Sequence, residues 1–252
     1  MNDVKFQDGL IFEVSDLYYS YDGRRPALED FHMTVRAGEC MAVLGSNGSG
    51  KSTLLKILDG LYFAGKGCVR AFGQELTEEA FQDDDFNAAF RRRVGLVFQD
   101  SDVQLFLPSV WEEVAFAPLQ LSVGREEVLE RVESALSTLN IHKLHDRAPH
   151  QLSGGEKKRV ALASVLSLAP EVWLLDEPSA GLDPRSVRWL TEFMLAQGQA
   201  SKSIVFATHD LQLVQSVASR ACVLDEEHHL LAEGAAADIL ANEQILLAAN
   251  LI

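Results

Sequence analysis

The sequence predicts an α/β protein with a mainly parallel sheet covered on both faces and an inserted helical region, on three observations. In the C-terminal third, short apolar runs such as "VWLLDE" and "SIVFATHD" alternate with stretches of helical period. A glycine-rich turn, "LGSNGSGKSTLL" at 44 to 55, leads from an apolar strand into a helix. Between 109 and 169, apolar residues recur at spacings of three and four, as several helices require.

The elements follow in order. Residues 10 to 45 alternate apolar and polar side chains and break at "YDGRRP" and "RAGE", which gives strands leading into the glycine-rich turn. "TEEAFQDDDFNAAFRRR" reads as helical, with the acidic run at 83 to 85 expected as a solvated turn. "RVGLVFQD" (93 to 100) is the next strand, and a proline-marked loop separates it from the helices. After Pro170 the predicted order is strand, helix from 184 to 198, strand, helix from 210 to 219, and the segment "RACVLDEEHHLLAEG". No internal repeat and no low-complexity linker interrupts the chain.

The turn carries chemistry. Gly45, Gly48 and Gly50 let the backbone N–H groups of the loop approach a ligand, and the helix that follows offers its positive dipole end to an anion. Gly45, Gly50, Lys51 and Ser52 fit G-x-x-x-x-G-K-[ST], the P-loop of nucleotide triphosphatases, in which the hydroxyl after the lysine ligates Mg²⁺. "VWLLDE" puts Asp176 and Glu177 at the end of a buried strand, facing the crevice where the phosphates lie. Asp176 is expected to hold Mg²⁺, directly or through water, and Glu177 to orient or deprotonate an attacking water. His209 ends a later strand and can donate to the γ-phosphate or position the water, and Gln99, ending "GLVFQ", can ligate the metal. A second glycine nest, Ser153, Gly154 and Gly155, opens another helix about a hundred residues on. It implies either a second anion or a nucleotide shared between two copies of the chain.

Composition narrows the partners. A net charge of −15 and 47% hydrophobic residues describe an acidic globular chain that would repel a phosphate backbone, so nucleic acid is not expected as a partner. Cys40, Cys68 and Cys222 form no C-x-x-C pair and suit buried thiols in a reducing compartment, with neither zinc nor disulfides. The N-terminal "MNDVKFQDGLIF" lacks an apolar signal core and no apolar stretch is long enough to span a bilayer, so the chain alone is expected to be soluble and cytoplasmic.

Taken in order, Tyr21, "GSNGSGKST", Gln99, "LSGGE", "VWLLDE", "SAGLD" and "ATHD" resemble the motif set of an ATP-binding-cassette (ABC) ATPase over nearly the entire chain. The resemblance implies a single nucleotide-binding domain over 1–252: a P-loop NTPase core, an N-terminal antiparallel β-subdomain and a helical subdomain at approximately 101–169. It implies a head-to-tail dimer with two ATPs between the P-loop of one subunit and the signature of the other, the second subunit being an identical chain or a paralogue. Tyr21, with Tyr18 and Tyr19 as alternatives, would stack on adenine. Lys51, Ser52, Thr53 and the amides of Gly45, Ser46, Asn47, Gly48, Ser49 and Gly50 would bind phosphates and Mg²⁺, and Gln99 and Asp176 would complete the metal shell. Glu177 would be the base, His209 would contact the γ-phosphate, and Asp183 would link the two sites. Ser153, Gly154 and Gly155 would serve the partner's nucleotide.

"VGLVFQDSDVQLFLPSVWEEVAFAPLQL" is similar to energy-coupling-factor importers, especially the cobalt/nickel type, although Ser101 and Val103 stand where that type has a proline and an acid. That similarity implies an integral membrane coupling subunit seated on residues 100 to 120 near Leu105, Phe106 and Leu107, a substrate-binding membrane subunit, and a peripheral position on the cytoplasmic face of the cell membrane. A soluble iron-sulfur assembly ATPase is the competing reading.

Overall fold

The computed structural model describes residues 9–252. Residues 1–8, most of the stretch read as lacking a signal core, lie outside the described residues. In chain order the elements are β1 (Leu10–Tyr19), β2 (Leu28–Arg36), β3 (Cys40–Leu44), α1 (Lys51–Leu58), β4 (Lys66–Ala71), β5 (Gln74–Glu75), α2 (Asp84–Arg93), β6 (Val94–Val97), α3 (Ser101–Gln104), α4 (Val110–Gln120), α5 (Arg125–Thr138), α6 (Gly154–Leu166), β7 (Val172–Asp176), α7 (Pro184–Gln199), β8 (Ser203–Thr208), α8 (Leu211–Val217), β9 (Arg220–Leu224), β10 (Leu230–Ala235), α9 (Ala236–Ala241) and α10 (Glu243–Ala248).

The larger sheet has the order β10-β9-β3-β8-β7-β6 and is parallel except for β10, which pairs antiparallel with β9. The smaller sheet, β2-β1-β4-β5, is antiparallel. Every residue of β7 and β8 is buried, as central strands covered on both faces must be. Alternate side chains of one strand serve different cores: Trp173 and Leu175 pack with α4–α8, whereas Val172 and Leu174 pack with α1 and the antiparallel sheet.

Register places the site. Leu44 at the end of β3 pairs with Thr208 of β8, and Asp176 of β7 pairs with Ala207. The glycine-rich turn, Glu177 and His209 therefore leave the sheet side by side at its carboxyl edge, where β3 has β8 on one flank and β9 on the other.

The structure differs from the sequence reading in four places. The acidic run at 83 to 85 is not a turn: Asp83 caps α2 by accepting from the Phe86 amide, and Asp84 and Asp85 fill its first turn, where the helix dipole favours them. β4 and β5, which the sequence reading leaves without structure, form the far edge of the antiparallel sheet. Gly67 permits this at φ +81°, because a Cβ there would lie 2.2 Å from the Asp16 carbonyl oxygen. Leu105 is packed into the core at 7% exposure, so of the three residues expected at a membrane contact it is withdrawn, while Phe106 is 65% exposed. Finally, only Cys222 is fully buried, Cys40 and Cys68 being partly so. Among the described residues no helix is long and apolar enough to cross a membrane.

Candidate nucleotide site

The glycine-rich turn wraps the start of α1. Gly50, the residue before the helix, has φ +106°, and a Cβ there would meet the Ala27 carbonyl oxygen at 2.3 Å, so the closing of the loop over the helix requires glycine. Lys51 is 5% exposed, and its Nζ donates to the carbonyls of Gly45 (2.8 Å) and Ser46 (2.9 Å). The ammonium is thereby held across the mouth of the loop. The start of α1 and this charge border one open cleft of about 440 Å³, lined by Tyr21, Ala27, Asn47, Gly48, Gly50, Lys51, Ser52, Thr53, Gln99 and Glu177. A polyanion with a flat base fits a cleft of this size and lining.

The acidic wall is tied to the loop. Ser52 Oγ donates to Asp176 Oδ1 at 2.8 Å. Burial raises the Asp176 pKa, the Ser52 hydrogen bond opposes that, and the Glu177 carboxylate beside it pushes the same way as burial. A cation here would relieve the crowding of two carboxylates. The Ser52 hydroxyl, Asp176 and Gln99 supply hard oxygens, too few for an all-protein cage. Such a set suits Mg²⁺ when phosphate and water complete the octahedron.

Glu177 is 4% exposed and held at φ +40°, a conformation rare for a side chain with Cβ. Its amide donates to the Ala207 carbonyl (2.9 Å), and Thr208 Oγ1 donates to its Oε2 (3.3 Å). Oε1 lies 3.5 Å from Lys51 Nζ and 3.1 Å from His209 Nδ1. One carboxylate thus faces the Lys51 ammonium and the histidine at once. Thr208 has no place in the sequence reading; its signal was a hydroxyl at a strand end, next to His209.

Of the remaining predicted residues, those of the second nest and Asp183 lie apart, whereas Tyr21 does not. Ser153 caps α6 in a reciprocal box: the Glu156 amide donates to Ser153 Oγ (3.4 Å), and the Glu156 carboxylate accepts from the Ser153 amide (2.8 Å) and hydroxyl (2.7 Å). Those bonds hold the Glu156 carboxyl below its usual pKa. Ser153, Gly154 and Gly155 do not line the cleft, and neither does Asp183, which caps α7 by accepting from the amides of Arg185 and Ser186. Ser186 Oγ would lie 3.2 Å from a Cβ on Gly155, so the two caps adjoin. Tyr21 is 61% exposed, its hydroxyl 2.8 Å from Thr53 Oγ1, while Tyr19 stacks on Tyr62 and Tyr18 lies against Lys66. Of the three tyrosines only Tyr21 lines the cleft.

The ABC transporter family model matches residues 28–180, from β2 through the acidic wall. The chain belongs to that family. It is an ATP-binding, ATP-hydrolysing subunit of an ABC transporter. Similar proteins include a nickel import ATP-binding protein of Rhodobacter capsulatus, 48% identical over 96% of this chain and 95% of that one. A cobalt import ATP-binding protein of the same organism is 42% identical over 94% of this chain and 82% of its own length. Among solved structures, cbiO1 of Clostridium perfringens, described as part of the ABC transporter complex cbiONQ, superposes with a TM-score of 0.81 at 33% identity, covering 97% of this chain and 96% of that one. Asp59, Glu113 and Lys158 are buried charges absent from the sequence expectations, and Lys158 lies nearest in the bonding network to Gln99. Lys158 of α6 donates to the Gln99 carbonyl, burial lowering its pKa against the pull of Asp176 and Asp100. A lysine on the stripe shared with Ala161, Leu162 and Val165 was the available signal.

Proposed function

We propose that this cassette hydrolyses ATP as a head-to-tail dimer on the cytoplasmic face of a membrane and powers an importer of nickel, cobalt or a related micronutrient. The observation that carries the hydrolytic part is the convergence of Lys51, Ser52, Gln99 and Glu177 on one cleft, with Asp176 hydrogen-bonded to the Ser52 hydroxyl. Similarity to import subunits over nearly the whole length supports the direction and the cargo class, and speaks against a soluble iron-sulfur assembly role.

In this reading Tyr21 stacks on adenine, and the amides from Gly45 to Thr53, with Lys51, hold the phosphates. Ser52, Asp176 and Gln99 would hold Mg²⁺, which when bound supplies charge neutralisation at the β- and γ-phosphates. Glu177 accepts a proton from the water that attacks the γ-phosphorus, as the bond to the β-phosphate oxygen breaks and ADP leaves with phosphate. His209 donates to the γ-phosphate and keeps Glu177 aimed. Ser153, Gly154 and Gly155 of a second chain close over the same phosphate, and Asp183 joins the two sites.

The exposed apolar side chains of Val103, Phe106 and Leu119, with Phe116 packed edge-on to Phe106 at 5.3 Å, offer a face for a helix of a membrane subunit. Purification of the tagged chain from native membranes in mild detergent, with mass spectrometry of what accompanies it, tests the whole reading. A small integral membrane subunit and a second membrane protein that binds a metal or vitamin are expected; recovery with soluble partners alone contradicts the importer.

A further inference from the structure

Lys158 is 3% exposed and does not line the nucleotide cleft. An ammonium buried on an apolar stripe must find acceptors. Its Nζ donates to the carbonyl oxygens of Gln99 at 2.9 Å and Phe98 at 3.2 Å, just beyond the end of β6. The same segment is held from its other side. The Phe98 amide donates to Gln104 Oε1 (3.1 Å), and Gln104 Nε2 donates in turn to the Ala161 carbonyl (2.9 Å) and Ser164 Oγ (3.1 Å) of α6. At the rim Lys157 Nζ meets Asp102 Oδ1 at 2.5 Å. Residues 98–104 are therefore clasped to α6 by side chains from both partners. Gln99 lines the nucleotide cleft at one end of this clasp, and the Ser153–Gly155 nest opens α6 at the other.

We propose that Lys158 is a positioning residue for hydrolysis: it fixes the Gln99 backbone to α6, so that the place of the Gln99 side chain in the cleft follows any shift of α6 that nest binding imposes. The proposal rests on the reading that the nest of one chain meets the nucleotide of another, and under that reading the clasp carries occupancy of the partner's site to the chain's own. A two-point bond to adjacent carbonyls sets the tilt of the 98–99 peptide as well as its distance. An apolar side chain of similar length would leave both carbonyls without this donor.

The test compares Lys158→Met, Lys158→Arg and Gln104→Met with wild type. In nucleotide-free protein, hydrogen exchange of the amides in 98–104 is expected to be about tenfold faster in Lys158→Met and near wild type in Lys158→Arg. With Mg²⁺-ATP, kcat is expected to fall about tenfold in Lys158→Met while ATP affinity stays within about twofold, and Lys158→Arg is expected to recover most of the rate. Gln104→Met breaks the clasp from the other side and decides the matter should Lys158→Met not fold. Wild-type exchange and kcat in either Met variant overturn the proposal, and so does faster exchange with unchanged kcat. Should the wild-type chain hydrolyse ATP without dimerising, the dimer reading fails separately, and the exchange and kcat comparisons still judge the hold of Lys158 on Gln99.

Discussion

The two glycine-rich helix starts of this cassette are built from similar residues and left in opposite states. At α1 the loop is closed, Lys51 is buried and bonded to two loop carbonyls, and the acidic wall stands opposite. At α6 the nest is open to solvent and already holds an anion of its own, the Glu156 carboxylate. The first is a site prepared within one chain. In the proposed dimer the second is half a site, stable by itself through its capping box and free to exchange that internal anion for an external one. ATP binding should therefore need only the α1 site, and hydrolysis should need both.

That contrast is most directly broken at the base. Glu177→Gln should lower turnover by on the order of 10²–10⁴-fold while ATP still binds, with an ATP-bound dimer accumulating in gel filtration. Next comes Ser153→Arg, which fills the nest with a bulky side chain. It should reduce turnover by about a hundredfold and leave ATP affinity of the monomer unchanged, as read by titration with a fluorescent analogue. An equal loss of affinity would mean that the nest serves its own chain's nucleotide. Lys51→Ala reverses the pattern. It removes the charged donor and should weaken ATP binding by roughly a hundredfold, about 3 kcal/mol, in the same titration. The smallest effect belongs to Glu156→Gln. Loss of the internal anion should lower the ATP concentration for half-maximal turnover by about twofold to fivefold, and a rise instead would show that the carboxylate aids closure.

Legibility followed the same contrast. The α1 loop was readable because its residues are contiguous: three glycines, Lys51 and the hydroxyls of Ser52 and Thr53 lie within nine residues. Asp176 and Glu177 were readable from an all-apolar strand that ends in acids. What stayed hidden depends on partners distant in sequence. The Lys158 ammonium makes sense only beside carbonyls 59 and 60 residues away. Thr208 matters through Glu177, 31 residues earlier. Leu105 looks like a surface residue in a proline-marked loop and is drawn inward by the core beneath α4. β4 and β5 escaped because "KGCVRAFGQE" is short and glycine-broken, and becomes strand only by pairing with β1. The acidic run misled because three aspartates suit a turn or a helix start equally, and only the cap at Asp83 separates the two.

Complementation between two defective chains tests directly whether the α6 nest of one chain completes the nucleotide site of the other. Glu177→Gln and Ser153→Arg proteins, each nearly inactive alone, are mixed in equal amounts before ATP is added, and turnover is recorded. In a head-to-tail dimer half the pairs are mixed, and each mixed pair has one intact site that combines the cleft of one chain with the nest of the other. Activity should then return to about a quarter of wild type. Turnover no greater than the average of the two separate proteins would show that the α6 nest does not complete the partner's nucleotide site.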